Sequence, residues 1–237
     1  MRQLLPLPAA DVEATEVVPA ALYGRDRTPP GERPWVMANV VASVDGSAAV
    51  DGRTRALSGP ADRALFRRLR SQADVVLVGA GTVRAEGYGP VRDEKPAPIA
   101  VVSRSLDLDW DGALFTEAAV PTLVVTCPGA DPARRARAEQ AAELVVAGDQ
   151  WVDVGEAVTQ LGRRGHDVVL CEGGPCLLGE LVVADLLDEL CLTLSPLVAG
   201  GAGPRIVTGA VVPAPRPLRL ASVLEDDGNL FLRYLRD

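Results

Sequence analysis

Two consecutive glycines between a strand pattern and a helix pattern mark the most informative candidate site. In CEGGPCLLGEL, residues 171–181, an apolar run ends at Cys171, Gly173 and Gly174 follow, and Pro175 is placed for the first position of a helix. A strand that passes through two glycines into a helix leaves backbone N–H groups unpaired and carries no side chain that blocks a ligand, which suits a pyrophosphate. A tight strand-to-helix turn without a ligand is the alternative interpretation.

Two acidic residues beside such turns are candidates for proton transfer. Glu172 directly precedes the paired glycines, at the C-terminal end of its strand, where open α/β sheets bind their ligands. Asp45 lies in NVVASVDGSAAVDGRT, residues 39–54, where an apolar strand runs into Asp45-Gly46. Asp-Gly is also an ordinary turn signal, so Asp45 is either a polar group of the site or a turn former.

A second glycine-rich stretch follows another strand pattern. DVVLVGAGTVRAEGYGP, residues 74–90, places Gly79, Gly81 and Thr82 directly after an apolar run. It does not complete a GxGxxG fingerprint, because Arg84 occupies the sixth position. The stretch predicts either a loop that contacts a nucleotide or a plain turn.

A basic segment stands out in a chain whose net charge is −8. Six arginines and a single acid lie between Arg53 and Arg70, and Arg63, Arg67 and Arg70 recur on one face of a helix predicted to begin near Pro60. The planar guanidinium group suits a phosphate-bearing ligand. A solvated arginine face is the alternative.

The elements that must position these residues alternate along the chain, which predicts an α/β fold. We expect strands at 35–43, 74–79, 97–103, 121–126, 142–147 and 166–171, and helices at 61–72, 131–142, 154–165 and 174–187. Such connections produce a mostly parallel central sheet covered on both faces. Three strand patterns then follow from residue 188 onward, with a hairpin turn at Asp227-Gly228, so antiparallel C-terminal strands complete a mixed sheet. Residues 1–34 are predicted to be an N-terminal arm and residues 35–237 one domain.

Composition excludes several classes of protein. The 237 residues are 48% hydrophobic and 24% charged, as in globular proteins. The acidic net charge argues against nucleic acid or an anionic membrane as main partner, and no apolar run is long enough to span a membrane. The start of the chain does not resemble a signal peptide, so a cytoplasmic location is expected.

Cysteine and histidine usage limits the chemistry further. The four cysteines lie mostly within apolar runs and are expected to be buried, reduced thiols. His166 is the only histidine and has no partner at metal-ligand spacing, so no metal is expected. A hydrolase built on a histidine triad is disfavoured, because it would have to use His166 and no GxSxG motif is present.

Four motifs in this order resemble the riboflavin-pathway pyrimidine reductase family, the dihydrofolate-reductase-like half of the deaminase-reductase enzymes. They are ASVDG (42–46), LRSQADVVLVGAGTVRAEGYGPVR (69–92), CEGGPCLLGEL (171–181) and LLDELCLTLSPLVAGG (186–201). VRAEGYGPVR together with EGGPCLLG is similar to stand-alone actinobacterial members, and neither HxE nor PCxxC of a zinc deaminase is present. The resemblance implies a dihydrofolate-reductase-like three-layer fold and a homodimer.

The activity that this resemblance implies is NADPH-dependent reduction of 5-amino-6-(5-phosphoribosylamino)uracil to its ribitylamino product. Ser103 and Arg104 would bind the adenosine 2′-phosphate, which favours NADP over NAD. The full set of residues that the resemblance assigns to the cofactor is Ala42, Thr82, Glu86, Ser103, Arg104, Gly173, Gly174, Pro175, Cys176, Leu177, Leu178 and Gly179. The set that it assigns to the phosphorylated pyrimidine is Thr54, Arg70, Pro90, Arg92 and Glu172.

The reaction itself requires that the ribosylamine open to an imine before C1′ accepts a hydride, so a proton source must lie nearby. Asp45 and Glu172 are the catalytic candidates, and Arg70 with its neighbours would hold the substrate phosphate. Asn39 stands where many family members have lysine, which leaves the substrate open. The alternatives are a dihydrofolate or pteridine reductase on the same fold and a non-catalytic NADP-binding protein.

Overall fold

A computed structural model describes residues 1–5, 20–23, 27–91, 96–209 and 211–237. The strands are β1 (Arg2–Leu5), β2 (Trp35–Ser43), β3 (Val75–Gly79), β4 (Ile99–Val102), β5 (Leu123–Thr126), β6 (Glu143–Val146), β7 (Val168–Cys171), β8 (Glu189–Ser195), β9 (Arg219–Asp226) and β10 (Asn229–Leu235). The helices are α1 (Ala20–Tyr23), α2 (Pro60–Arg70), α3 (Ala80–Glu86), α4 (Ala113–Thr116), α5 (Pro132–Ala141), α6 (Val154–Arg163) and α7 (Pro175–Val183).

The strands form one mixed sheet in the order β1-β9-β10-β8-β2-β7-β3-β4-β5-β6. The strands from β8 to β6 in this order pair in parallel, while β1, β9 and β10 extend the sheet with antiparallel pairings. This confirms the mostly parallel sheet with an antiparallel C-terminal part. It also makes β2, β7 and β3 neighbours, so their carboxyl ends meet at one edge of the sheet.

Helices cover both faces of this sheet. Helices α2, α3 and α4 pack on one face and α6 and α7 on the other. The side chains of β2 alternate between the two faces of the sheet. Met37 packs in the core beneath α2, α3 and α4, while Val36 and Ala38 pack in the core beneath α6 and α7. The predicted three-layer arrangement is therefore confirmed.

Helix α2 forms as its sequence predicts. Gly59 is its N-cap and Pro60 occupies the first turn, where a missing backbone N–H costs nothing. Ala61, Leu65 and Leu69 are buried along one side, so the opposite side carries the arginines.

The C-terminal hairpin is also confirmed. Strands β9 and β10 pair on either side of Asp227 and Gly228, whose φ angles are 49° and 77°. Positive φ at both central residues is the geometry of the two-residue turns that join antiparallel strands.

Residues near the N-terminus contribute to both the sheet and the core. Strand β1 pairs with β9, and the side chain of Tyr23 is fully buried. Arg27 donates from Nε to Glu189 at 2.9 Å, and Arg233 donates from Nε to the same carboxylate at 2.7 Å. Burial opposes the charge of Glu189, but the hydrogen bonds from Arg233 and Arg27 lower its pKa to about 2. The division of the chain at residue 34 stays a prediction.

The structure also bears on the cysteines, on metal sites and on membrane spans. Cys127, Cys171 and Cys191 are buried free thiols, but Cys176 is exposed, because it occupies the first turn of α7. Within the described ranges, no cluster of His, Cys, Asp and Glu could hold a metal ion. No helix in those ranges is long and apolar enough to cross a bilayer.

Candidate active site

A cavity of about 490 Å³ opens where the carboxyl ends of β2, β7 and β3 meet. Its wall is formed by residues 39–41 of β2, parts of the segment 48–54, one side of α2, one side of α3 with Tyr88 after it, and residues 172–175. Pro204 and Ile206 close the remaining side. This volume is in the range of small-molecule sites. The position also matches the crevice where α/β sheets bind their ligands.

The Gly-Gly turn forms the part of the wall beside α3. Gly173 has φ +91°, a conformation that favours glycine, and the Gly173-Gly174 peptide bond is cis. The backbone N–H of Gly79 donates to the carbonyl of Gly173 at 2.8 Å. A Cβ at Gly174 would lie 2.8 Å from the Thr82 hydroxyl oxygen, so the turn and α3 approach too closely for a side chain.

Helix α7 begins directly at this turn. Gly174 is its N-cap, Pro175 fills the first position, and the first intrahelical bond runs from Leu178 to Gly174. The N–H groups of Cys176 and Leu177 therefore have no carbonyl partner within the helix. A bare turn with free N–H groups beside it is a geometry that suits an anion, and its use for a pyrophosphate stays a prediction.

Glu172 is held in the wall by two other side chains. Arg70 donates from Nε to Oε1 and from Nη2 to Oε2, each at 2.7 Å, and the Tyr88 hydroxyl donates to Oε2 at 2.6 Å. The Arg70 guanidinium also lies 4.3 Å from the centre of the Phe66 ring. Oε1 accepts one of these bonds and Oε2 accepts two, so Oε1 keeps a lone pair that no described residue uses.

This arrangement fixes the charge states of the donors. Burial disfavours the Arg70 cation, but the hydrogen bonds and charge of Glu172 raise the pKa of Arg70 above its usual value. Burial, with the nearby charge of Glu172, raises the pKa of Tyr88 well above its usual value. Arg70 therefore stays charged and Tyr88 stays a neutral donor.

The expected role of Arg70 as a phosphate ligand stays a prediction, and its contacts in the structure are mainly with Glu172. The sequence assigns it to the substrate phosphate, whereas its Nε and Nη2 donate to Glu172 and it does not line the cavity. Arg63, two turns earlier on the same face of α2, lines the cavity instead. It is exposed, and within the described ranges Nη1 donates only to the Ser58 carbonyl, at 3.2 Å. Arg63 is thus the better placed of the two cations for an incoming anion.

Two further predicted residues meet in the cavity wall. Glu86 accepts a hydrogen bond of 2.7 Å from the backbone N–H of Thr54, and both residues line the cavity. Glu86 belongs to α3 and Thr54 to the segment before α2. The bond therefore ties the side expected to bind cofactor to the side expected to bind substrate.

Asp45 lies away from the cavity wall. Its carboxylate accepts from the Ser43 hydroxyl and from the backbone N–H groups of Ala199 and Gly200, at 3.0 and 2.7 Å. These bonds, that of Ser43 foremost, lower the pKa of Asp45 to about 2. Gly46, at φ +90°, completes the turn. The geometry supports the interpretation of Asp45 as a turn former. Its carboxylate connects the loop after β2 to the loop after β8.

The expected adenosine site lies after β4. Ser103 is buried, and its hydroxyl accepts from the N–H of Leu106 at 3.0 Å. Arg104 is exposed, donates from Nε to the Gln150 carbonyl at 2.8 Å, and lies 4.2 Å from the centre of the Trp151 ring. No acceptor among the described residues meets its Nη groups.

The remaining predicted residues differ in placement. Pro90 lies in a small crevice with Val91 and Ile99 rather than in the cavity, and Arg92 lies outside the described residues. Ala42 is buried within β2. Leu177, Leu178 and Gly179 are buried in α7, whereas Pro175 lines the cavity and Cys176 is exposed.

Several cavity residues carry no clear signal in the sequence. Tyr88 and Phe66 look like ordinary aromatic residues until the fold brings them to Glu172 and Arg70. Asn39 lines the cavity, and its Oδ1 is buried without a hydrogen-bond partner. For Asn39, one signal was present in the sequence: asparagine stands where many members of the resembled family have lysine.

Comparison with known families extends this description. Residues 34–232 match the model of the RibD C-terminal domain. The 2,5-diamino-6-ribosylamino-4(3H)-pyrimidinone 5′-phosphate reductase of Methanothermobacter thermautotrophicus is 28% identical over 176 residues, which cover 71% of this chain and 81% of the relative. The riboflavin biosynthesis protein RibD of Mycobacterium tuberculosis is 29% identical over 71% of this chain, but only 44% of that longer protein is covered.

Solved structures show the same fold. A pyrimidine reductase-like protein from Corynebacterium diphtheriae superposes with a TM-score of 0.79 at 25% identity, covering 92% of this chain and 98% of that one. The riboflavin biosynthesis reductase Rib7 of Saccharomyces cerevisiae reaches a TM-score of 0.68 at 20% identity, with 92% and 95% covered. Dihydrofolate reductase from Enterococcus faecalis shares the fold at a TM-score of 0.53 and 13% identity, over 86% and 96%.

Proposed function

Because the chain belongs to the RibD C-terminal domain family, we propose that it reduces 5-amino-6-(5-phosphoribosylamino)uracil to the ribitylamino compound with NADPH. One observation carries this proposal: a buried carboxylate, Glu172, is held by Arg70 and Tyr88 directly beside a side-chain-free turn in one cavity. The turn suits a dinucleotide, and the carboxylate suits the donor groups of an aminopyrimidine.

The cofactor would follow the carboxyl edge of the sheet. Gly173, Gly174 and the first N–H groups of α7 would hold the pyrophosphate. Arg104 would contact the 2′-phosphate, which supports NADPH rather than NADH. A bound nicotinamide would supply the hydride that reduces C1′ of the opened sugar.

The residues opposite the turn would bind and orient the pyrimidine. The free acceptor position on Glu172 Oε1 suits the exocyclic N–H of the ribosylamino group. Accepting that hydrogen bond favours donation of the nitrogen lone pair toward C1′ as the sugar ring opens. Asn39 offers an unsatisfied Oδ1 to a further donor of the ring. Arg63 is placed for the 5′-phosphate.

The 2,5-diamino-pyrimidinone, which carries an amino group at C2 where the uracil has a carbonyl, is the second candidate substrate. The name of the Methanothermobacter relative favours it, because that protein is called a reductase of this compound. Asn39 can serve either substrate, since its amide carries both a donor and an acceptor.

Purified protein assayed for NADPH oxidation tests the proposal. The uracil compound, the 2,5-diamino compound and dihydrofolate are supplied separately, and products are identified by mass spectrometry. We expect oxidation with at least one of the pyrimidines, stoichiometric with a ribitylamino product, and none with dihydrofolate. Turnover of dihydrofolate alone would make the chain a pteridine reductase, and tight NADPH binding without oxidation of any substrate would make it a binding protein.

We also propose a homodimer and a cytoplasmic location. Leu197 and Val198 are exposed apolar residues at 45% and 78%, beside the loop that Asp45 holds, and such a patch suits a subunit contact. Free thiols at all four cysteines suit a reducing compartment. Analytical ultracentrifugation of wild type and Val198→Asp tests the dimer, which we expect the substitution to weaken.

A further inference from the structure

Trp151 is an exposed aromatic side chain with an unusual neighbour. Its side chain is 71% exposed, and the Arg104 guanidinium lies 4.2 Å from the centre of its ring. A cation over an indole face is the strongest form of cation–π contact in proteins. The pair sits on the surface beyond the carboxyl ends of β4 and β6, on the same edge of the sheet as the cavity.

The turn that carries Trp151 packs closely against itself and against the segment after β5. A Cβ at Gly148 would lie 2.1 Å from the Trp151 carbonyl oxygen, and Gly148 has φ +84°. Gly129, after β5, donates its N–H to the Asp149 carbonyl at 2.8 Å, and a Cβ there would lie 2.8 Å from Gln150 Cα. The turn that carries Trp151 therefore has little room to move.

Arg104 is fixed to the same turn but keeps its ligand-binding groups. Its Nε donates to the Gln150 carbonyl, so the guanidinium is held at one end by a hydrogen bond and along one face by the indole. Its Nη groups meet no acceptor in the described part of the chain. A guanidinium that is already oriented loses less side-chain entropy when it binds an anion.

Two other arginines donate hydrogen bonds to the loop after β4. Arg134 donates from Nη1 to the Ser105 carbonyl at 3.0 Å, and Arg84 donates from Nη1 to the Asp107 carbonyl at 2.7 Å. The same region also carries acids, namely Asp107, Asp131, Asp149 and Asp153, and all four are exposed. Three arginines thus gather at this loop, and only Arg104 lies on an aromatic ring.

We infer that Trp151 is a positioning residue for cofactor choice: it holds the Arg104 guanidinium in the orientation that binds the adenosine 2′-phosphate. This inference rests on the proposed function, because it takes NADPH as the cofactor. Trp151 then acts through Arg104, and its effect falls on ligands with a 2′-phosphate rather than on dinucleotides in general.

Binding measurements without turnover test this inference. Isothermal titration calorimetry compares NADPH with NADH, and 2′,5′-ADP with 5′-ADP, on wild type and on Trp151→Ala, Trp151→Phe and Arg104→Ala. We expect Trp151→Ala to lower the affinity for NADPH and for 2′,5′-ADP about tenfold, while the affinity for NADH changes less than about twofold. Trp151→Phe should retain most of the preference, because an aromatic face remains, and Arg104→Ala should abolish it.

Arg137→Ala is the matched control for loss of surface charge, since Arg137 is exposed and pairs only weakly with Asp111 at 3.4 Å. This variant should leave the ratio of the affinities for NADPH and NADH unchanged. An equal loss of NADPH and NADH affinity in Trp151→Ala, or no loss, overturns the inference while leaving the proposed function intact. If circular dichroism shows that Trp151→Ala is unfolded, Trp151→Phe becomes the test. Loss of the preference for NADPH over NADH in Trp151→Phe then overturns the inference. Wild-type protein that binds neither NADPH nor 2′,5′-ADP overturns both.

Discussion

Arg70 makes two hydrogen bonds of 2.7 Å to Glu172, although the two residues are 102 positions apart in the chain. The contact joins the end of α2 to the residue that follows β7. It also divides the basic face of α2, because Arg70 is committed to a carboxylate while Arg63 and Arg67 remain exposed. The two kinds of arginine should therefore respond differently to substitution.

Replacing Arg70 by lysine should impair catalysis rather than cofactor binding. Lysine keeps the charge but cannot donate two parallel hydrogen bonds, so Glu172 loses its fixed orientation. We expect kcat to fall about tenfold or more, with the Kd for NADPH changed less than about twofold. Steady-state kinetics and calorimetry check this. A rise in KM for the phosphorylated substrate alone would instead restore Arg70 as a phosphate ligand.

Replacing Arg63 by alanine should affect recognition of the phosphate. Arg63 lines the cavity and keeps free donors, so its loss removes a charge-assisted contact. We expect KM for the phosphorylated pyrimidine to rise about tenfold, with little change for the dephosphorylated nucleoside. Arg67→Ala is the control, because Arg67 is exposed on the same helix and does not line the cavity. Equal effects of both variants would indicate general electrostatic attraction.

A methyl group at Gly174 should disrupt the dinucleotide site. The added Cβ would lie 2.8 Å from the Thr82 hydroxyl oxygen, so the turn or the Thr82 side chain must shift. We expect Gly174→Ala to weaken NADPH binding about tenfold or more. Gly89→Ala serves as comparison, because its Cβ would meet nothing within 4 Å. NADPH affinity that survives Gly174→Ala would move the pyrophosphate away from this turn.

The buried Glu189 cluster gives a pH-dependent prediction. Glu189→Gln leaves Arg27 and Arg233 without their counter-charge, which should cost about 3 kcal/mol of unfolding free energy at neutral pH. The folded pKa of Glu189 is lowered from 4.5 to about 2, so its ionic contribution is full above pH 4.5 and is lost as pH falls toward 2. Urea unfolding of both proteins between these limits should show the difference shrinking.

Glu139→Gln is the control for this series. Glu139 is 54% exposed and pairs with Arg135 across one helical turn at 3.6 Å, so its loss should cost less than about 0.5 kcal/mol at any pH. A Glu189→Gln penalty that stays constant from pH 4.5 to pH 2 would contradict the ionic account.

Features that depend on neighbouring residues could be predicted from the sequence. The run WVMANVVAS forms β2 with the expected bounds, and Pro60 opens α2 as its position indicates. Asp227-Gly228 forms the expected hairpin. The Gly-Gly turn was predictable for the same reason, since strand, glycines and helix start follow one another directly.

Contacts between distant segments could not be predicted in this way. The sequence placed Asp45 near the site, but its carboxylate turns to the N–H groups of Ala199 and Gly200. Local sequence does not specify that partner. The same applies to Tyr88 on Glu172 and to Trp151 on Arg104, since in both cases the packing of separate loops brings the side chains together.

The most direct test of the account follows hydrogen from cofactor to product. NADPH carrying deuterium at both positions of nicotinamide C4 is supplied with the phosphoribosylaminopyrimidine that the enzyme accepts, and the ribitylamino product is analysed by NMR. If the cavity holds the two molecules side by side, one deuterium appears at C1′ and none is lost to water. A product without deuterium at C1′, or no product from either pyrimidine, would contradict the account.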